Sequence, residues 1–256
     1  MRSPETVLII PAAGGGTRLQ SSSPKVLTPV NGRLMIDHLF DLYRGVVTRF
    51  VLVVRPSFEA AVRAHCASAA GDLDVTYARQ ADPTGMLDAI LLAADAARTP
   101  DVERVWITWC DQIGIHPNTI SALDRRSEQS PEAPVILPTA LQENPYIHLA
   151  RAADGRITAI LQRREGDAMP RVGESDMGLF SLSPDSYFNW LPRFGEDAIR
   201  AAGTQERNFL PFLPWLARRD LRVMTFPCTS PMEAIGVNTP DDLVRIEQYL
   251  QERGRS

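Results

Sequence analysis

The sequence predicts an α/β protein built on a mainly parallel sheet, and three observations carry that expectation. Short apolar runs rich in β-branched residues, at Val7–Ile10, Phe50–Val54, Leu73–Ala78 and Val105–Trp109, read as strands. Between them lie segments with helical spacing of apolar residues, and such alternation calls for right-handed crossovers and parallel pairing. The chain has 256 residues, 44% hydrophobic and 23% charged, which suits an ordinary globular protein of one large α/β domain or two small ones.

The first strand is cut off by Pro11-Ala12-Ala13-Gly14-Gly15-Gly16-Thr17-Arg18-Leu19, followed closely by Pro24-Lys25-Val26-Leu27. Glycine lets the backbone approach a ligand closely, and successive N–H groups in such a loop form an anion-binding concavity. Arg18 and Lys25 add fixed positive charge, so a triphosphate suits the arrangement. Two other glycine loops are excluded. The dinucleotide fingerprint needs a small residue three places after its second glycine, and counting from Gly14 and Gly16 that position is Leu19. The P-loop ends in Gly-Lys-Ser/Thr, whereas Gly16 is followed by Thr17-Arg18.

Further along, Met35, Ile36, Leu39, Phe40 and Tyr43 recur at helical spacing. The segment Phe58–Ala69 is Ala-rich and helical, and Met86–Ala97 is a strong helix former with apolar residues nearly all round. Ligands on parallel sheets gather at the carboxyl ends of the strands, which puts Ala12 to Arg18, Gln80 and Asp111 in one crevice. The second half changes character. Proline and polar residues interrupt 127–144, and short strands follow at Tyr146–Ala150, Ile157–Gln162 and Met177–Leu182. Ser183-Pro184-Asp185 and Thr239-Pro240-Asp241-Asp242 each read as an N-cap with proline at the first helical position. The last helix continues through Leu243, Ile246 and Leu250 and closes the domain. The expected organisation is one domain, 1–256, with a nucleotide-binding lobe to about residue 117 and an acceptor lobe from about 118.

Several function classes fall away on composition. A net charge of −4, with no Lys/Arg block, gives no footprint for nucleic acid. No apolar run approaches a membrane span, and Val7–Ile10 is too short for a secretory leader. Cys66, Cys110 and Cys228 are odd in number and widely separated, so a reducing cytoplasm is the expected setting. The four histidines are equally scattered, and a zinc site is not expected. The sequence leaves the oligomeric state open.

The string Gly14–Leu19 with Pro24-Lys25 resembles the G-x-G-T-R-L…P-K signature of the sugar-phosphate nucleotidyltransferases. The resemblance implies a Rossmann-like, mixed but mainly parallel sheet flanked by helices, and a triphosphate held by Ala12, Ala13, Gly14, Gly15, Gly16 and Thr17. Gln80-x-x-x-x-Gly85-Met86 matches the family stretch that sits against the base. A side-chain amide there offers a donor and an acceptor to a pyrimidine edge, uracil or thymine by preference with cytosine still open. Asp111, just past a strand, suits Mg²⁺, which takes a few oxygen ligands plus substrate phosphates. Gly236-Val237-Asn238 ahead of a helix resembles the uridylyltransferase domain for N-acetylglucosamine 1-phosphate, and this implies Asn238 as the second metal ligand. Arg18, Lys25 and Asp111 are the implied catalytic set.

The acceptor half departs from that pattern. Gln162 stands where the family has a sugar-gripping glutamate, and Asp176 stands in place of the amide that reads an N-acetyl group. Asn144-Pro145-Tyr146-Ile147-His148 lacks the glycine of the family's Gly-Tyr-Gly-Arg stretch, and Gln205–Phe209 stands where the family has E-Y-Y-L-T-D. These changes place N-acetylglucosamine 1-phosphate in question, and no hexapeptide-repeat tail suggests an acetyltransferase half. The acceptor-binding candidates are Trp109, Tyr146, Gln162 and Asp176, and the aromatic pair with Asp176 also suits a cationic head group. The expected reaction is attack by an acceptor phosphate, a sugar 1-phosphate first, on the α-phosphorus of UTP or dTTP. Alternatives are a cytidylyltransferase for a phosphocholine-like or phosphonate acceptor, a guanylyltransferase, or a nucleotide-binding regulatory protein without turnover.

Overall fold

The computed structural model describes residues 5–14 and 23–254. Strand β1 (Glu5–Pro11) leads to a small hairpin of β2 (Pro29–Val30) and β3 (Arg33–Leu34), then helix α1 (Met35–Tyr43). Next come β4 (Arg49–Val54), α2 (Pro56–Ala69), β5 (Asp74–Arg79), α3 (Met86–Leu92), α4 (Ala94–Ala97) and β6 (Val102–Thr108). Beyond these lie α5 (Pro117–Gln129), β7 (Val135–Glu143), β8 (Ile147–Arg151), β9 (Ile157–Gln162), β10 (Val172–Asp176) and β11 (Leu179–Leu182). The chain finishes with α6 (Leu191–Asp197), α7 (Phe212–Ala217), β12 (Val223–Pro227) and α8 (Pro240–Arg253).

Seven strands of the main sheet run in the order β10-β7-β11-β6-β1-β4-β5, and β12 adds to β7 as the eighth. The pairs β1–β4, β1–β6, β4–β5 and β7–β12 are parallel, while β6–β11, β7–β11 and β7–β10 are antiparallel. The sheet is therefore mixed with a parallel centre, and four strands from beyond residue 117 complete it. Strands β8 and β9 form a separate antiparallel hairpin.

Alternation along the strands sends side chains into two apolar layers. Leu8 and Ile10, Phe50, Leu52 and Val54, and Trp106 pack with α1, α2, α5 and α8. Val7 and Ile9, Val51 and Val53, and Val105 and Ile107 pack with α3, α4, α6 and α7. Continuous apolar runs such as Val7–Ile10 are what a strand covered on both faces requires.

The two expected caps are present. Ser183 Oγ accepts from the Ser186 amide at 3.1 Å, and Thr239 Oγ accepts from the Asp242 amide at 3.2 Å at the start of α8. Three local expectations need correction. The helix over 86–97 breaks at Ala93 into α3 and α4. The stretch 127–144, read as interrupted, holds the end of α5 and the nine-residue strand β7, in which Pro138 falls between the residues paired with β11 (135–136) and those paired with β10 (139–143). The strand expected at Met177–Leu182 begins at Leu179, and β10, polar and glycine-containing, precedes it.

Candidate active site

The parallel strands β1, β4, β5 and β6 end on one side of the sheet, at Pro11, Val54, Arg79 and Thr108, and their successors wall a cleft of about 700 Å³. Of the predicted phosphate loop, Ala13 and Gly14 line this cleft. Ala12 lies beneath it, fully buried, with its amide donating to the Val53 carbonyl at 2.7 Å. Gly15, Gly16, Thr17 and Arg18 lie outside the described residues.

Three residues far apart in the chain meet on one side of the cleft. Lys25 sits in a 3-10 turn (Lys25–Leu27), and its amide donates to the Gly14 carbonyl at 3.3 Å. Its ammonium donates to Asp111 Oδ2 at 2.5 Å and to Asn238 Oδ1 at 2.9 Å. The backbone holds this triangle, since the Val237 amide donates to the Asp111 carbonyl at 3.1 Å. Asn238 Nδ2 donates to the Gly236 carbonyl at 3.3 Å, which leaves Oδ1 turned to Lys25. Gly236 is needed for the fit: a Cβ there would stand 3.1 Å from both Asp111 Oδ2 and Asn238 Nδ2. Two oxygens of hard-donor type thus converge on a single cation.

A second part of the lining is the wall built around Gln80 and Gly85. The buried Gln80 receives its place from β5, with its amide donating to the Val54 carbonyl at 2.9 Å. Gln80 Nε2 donates to the Gly85 carbonyl at 3.0 Å, so one side-chain N–H is committed to the loop. Gly85 adopts φ 129° and ψ 174°, a region open essentially to glycine alone. A Cβ there would collide with the backbone N and O of Arg207. That approach is a short ladder: the Arg207 amide donates to the Thr84 carbonyl at 2.8 Å and the Leu87 amide to the Arg207 carbonyl at 3.0 Å. The Arg207 guanidinium also meets Asp88 and the Gly195 carbonyl. Met86 completes this wall.

All four acceptor candidates reach the same cleft. The Trp109 amide donates to the Gly178 carbonyl at 2.9 Å, and a Cβ on Gly178 would strike the indole. The ring packs on Phe180 and Phe209 at centroid distances of 5.3 and 6.0 Å. Asp176, at the end of β10 and 7% exposed, accepts the Gly178 amide at 2.9 Å. Burial pushes its carboxyl up to about 6, and the charge of Asp111 adds to the rise. Gln162 is buried, and Tyr146 is 48% exposed at the rim.

Sequence reasoning passed over Arg55, Gln112, Ser175, Asn208 and Arg245, all of which line the cleft. Arg55 directly follows β4, so the carboxyl-end rule that selected Gln80 and Asp111 would also have selected it. Gln112 adjoins Asp111, whereas Asn208 and Arg245 come from segments whose placement only the assembled fold supplies. Arg164 also lines the cleft and donates to Glu206 at 2.8 Å. Arg163 instead donates to the Asn144 and Pro145 carbonyls at 3.1 and 3.2 Å. Burial pushes the Cys110 thiol up to about 12, which makes it a packing residue rather than a nucleophile. Among the described residues no group of three or more His, Cys, Asp or Glu side chains converges on a metal position, and no helix is long and apolar enough to cross a membrane.

A family model described as the MobA-like NTP transferase domain matches residues 8–175. The chain is 29% identical over 249 residues to the bifunctional protein GlmU of Stutzerimonas stutzeri, covering 96% of this chain and 52% of that protein. It is 29% identical over 265 residues to GlmU of Halorhodospira halophila, covering 99% and 50%. The chain therefore spans about half the length of the curated relatives it matches. Among solved structures, a CMP:2-keto-3-deoxy-manno-octonic acid synthetase complexed with CTP superposes with a TM-score of 0.67 at 18% identity, over 97% of this chain and 99% of that one. That likeness concerns the fold.

Proposed function

The chain belongs to the MobA-like NTP transferase domain family, and on that footing we propose that it is a nucleotidyltransferase joining a nucleoside monophosphate to a phosphorylated acceptor. UTP or dTTP is the preferred donor, a sugar 1-phosphate the acceptor class, and pyrophosphate the second product. The observation that carries this reading is the meeting of Lys25, Asp111 and Asn238. A loop lysine, a post-strand carboxylate and a late amide share one point beside the phosphate loop, which is where a reacting α-phosphate belongs.

The residues present fit Mg²⁺. Asp111 Oδ2 and Asn238 Oδ1 are oxygen donors already converging on one cation, the Lys25 ammonium, and Mg²⁺ takes such a pair with phosphate oxygens completing its shell. When bound there, Mg²⁺ would supply charge neutralisation at the phosphates. The rest of the work falls to the chain. The loop from Gly14 to Thr17, with Arg18, holds the triphosphate through N–H groups and charge. Lys25 meets the phosphates at the reacting centre. Gln80 and Gly85 hold the base; with one Gln80 N–H bound to the Gly85 carbonyl, the second N–H and the Gln80 carbonyl remain to face the nucleotide, and the carbonyl is the acceptor among them. A base that donates suits it: N3–H of uracil or thymine, or the N4 amino group of cytosine.

The acceptor phosphate is ionised near neutral pH, since its second pKa is about 6, so no residue has to remove a proton. Its oxygen forms a bond to the α-phosphorus as the bond to the α–β bridging oxygen breaks, and pyrophosphate carries that oxygen away. Catalysis is then positioning and charge stabilisation in a preorganised site. The test is a pyrophosphate-release screen of the common triphosphates against phosphorylated acceptors. The expected result is release that depends on both substrates and is lost in Asp111→Ala. Wild-type-like release from folded Asp111→Ala protein contradicts the metal assignment, and nucleotide binding without product from any acceptor favours a regulatory protein.

A further inference from the structure

The deep end of the acceptor side carries an unbalanced set of polar atoms. Asp176 is 7% exposed, and the hydrogen bond given to its carboxylate comes from the Gly178 amide. No lysine or arginine among the described residues pairs with it. Gln112 is 6% exposed and lines the cleft, and its Oε1 is buried with no hydrogen-bond partner. The two residues are neighbours through Gly178, since a Cβ on Gly178 would stand 2.8 Å from Gln112 Cγ while the Gly178 amide binds Asp176. Trp109 flanks both, with its indole against Gly178.

Other polar groups nearby are already matched. Ser175 Oγ donates to the Ile147 carbonyl at 2.6 Å. Arg164 is engaged with Glu206, and Arg151 with Glu174 and Thr225. What is left at this end is a carboxylate and an amide carbonyl, both acceptors of hydrogen bonds. A buried carboxylate without a cation is costly, and a buried acceptor without a donor adds to the cost. A ligand that brings both a positive charge and N–H donors removes the two costs together.

We propose that the acceptor carries, besides its phosphate, a primary ammonium group that donates to Asp176 and Gln112 Oε1 beside the face of Trp109. This rests on the nucleotidyltransferase reading of the cleft and names the class of acceptor within it. An amino sugar 1-phosphate and an aminoalkyl phosphate both present that chemistry. A trimethylammonium group has no N–H and leaves Gln112 Oε1 unpaired. A hydroxyl leaves the carboxylate without a counter-charge, and an N-acetyl group removes the charge and two of the three N–H donors.

The experiment uses matched acceptors: 2-aminoethyl phosphate against 2-hydroxyethyl phosphate and choline phosphate, and glucosamine 1-phosphate against glucose 1-phosphate. Binding is followed by calorimetry on the whole chain with Mg²⁺ and an α,β-methylene triphosphate, and pyrophosphate release is followed in parallel with the natural triphosphate. Within at least one set the primary amine is expected to bind about tenfold to a hundredfold tighter than its matched partner, the range of a hydrogen bond to a charged group. Asp176→Asn should abolish that preference, and Gln112→Met should reduce it, each checked for folding by circular dichroism. Equal or better binding of the hydroxyl or trimethylammonium partner in both sets overturns the proposal, as does an amine preference that survives Asp176→Asn. Selective amine binding without pyrophosphate release upholds the ammonium site and refutes the transfer reaction. Release with the hydroxyl acceptors preferred does the reverse, and an absence of binding by every acceptor refutes both.

Discussion

Replacing Gly85 by alanine tests the wall proposed to hold the base. Gly85 sits at φ 129° and ψ 174°, where a side chain costs about 1–3 kcal/mol in strain alone. The new Cβ also points into the Arg207 backbone, and no rotamer change relieves a contact with main chain. Relief requires opening the ladder made by Arg207 N to Thr84 O and Leu87 N to Arg207 O, two hydrogen bonds worth about 1 kcal/mol each. The expected loss is therefore about 3–5 kcal/mol, or roughly 6–20 °C in melting temperature for a chain of this size. The same movement withdraws the carbonyl that receives Gln80 Nε2, so nucleotide affinity should fall up to about tenfold. Thermal unfolding with and without triphosphate reads both effects. A Gly85→Ala protein that melts within about 1 °C of wild type and keeps its full nucleotide-induced shift refutes the reasoning.

Three further outcomes follow from the same geometry. Asp176 holds its proton up to about pH 6 in the fold against an ordinary value of 3.8, so its contribution to stability falls as pH rises through that window. Asp176→Asn should accordingly stabilise the free protein by roughly 2–3 kcal/mol at pH 7.5 and have little effect near pH 4, read by denaturant unfolding at the two pH values. Lys25→Met should lower turnover roughly 10²–10³-fold, and, by removing the cation that sits on Asp111 and Asn238, should tighten Mn²⁺ binding to nucleotide-free protein measured by electron paramagnetic resonance. Unchanged Mn²⁺ affinity would remove Asp111 and Asn238 as the shared metal ligands. Gly236→Ala should weaken that Mn²⁺ affinity while leaving the circular dichroism spectrum unchanged, because the nearest atoms its Cβ presses on, at 3.1 Å, are the side-chain ends of Asp111 and Asn238 rather than backbone.

Much of the fold is legible in short-range chemistry. Val7–Ile10 and Phe50–Val54 are apolar on both faces because both faces are covered, and that signal survives in any reading of the sequence. Thr239 and Ser183 announce their helices through caps that need no tertiary context. The strands β7 and β10 were hidden for a physical reason: Pro138, lacking an N–H, is a poor residue inside a strand, and Val172–Asp176 has no alternation to detect. The α5 helix carries few apolar residues, with Ile120 and Leu123 buried, so its periodicity is faint.

The candidate site divides in the same way. Asp111 and Gln80 follow strands of a parallel sheet, and the topological rule places them without knowledge of the rest. Asn238 required a motif resemblance, because nothing local ties residue 238 to residue 25. Gln112 and Arg207 were not legible. The unpaired Oε1 of Gln112 is defined by what fails to surround it, and the grip of Arg207 on Gly85 is a contact between backbones. Such features belong to the assembled chain and leave little trace in composition or spacing.

The central claim concerns which phosphorus–oxygen bond forms, and isotope labelling reads that bond. Acceptor phosphate enriched in ¹⁸O is supplied with natural triphosphate, and the product is examined by ³¹P nuclear magnetic resonance and mass spectrometry. The account predicts ¹⁸O in the new bridge between the two phosphorus atoms and in the acceptor-derived phosphate, with none in the pyrophosphate released. Labelled pyrophosphate, or a triphosphate cleaved to unlabelled monophosphate by water while the acceptor remains untouched, would contradict it.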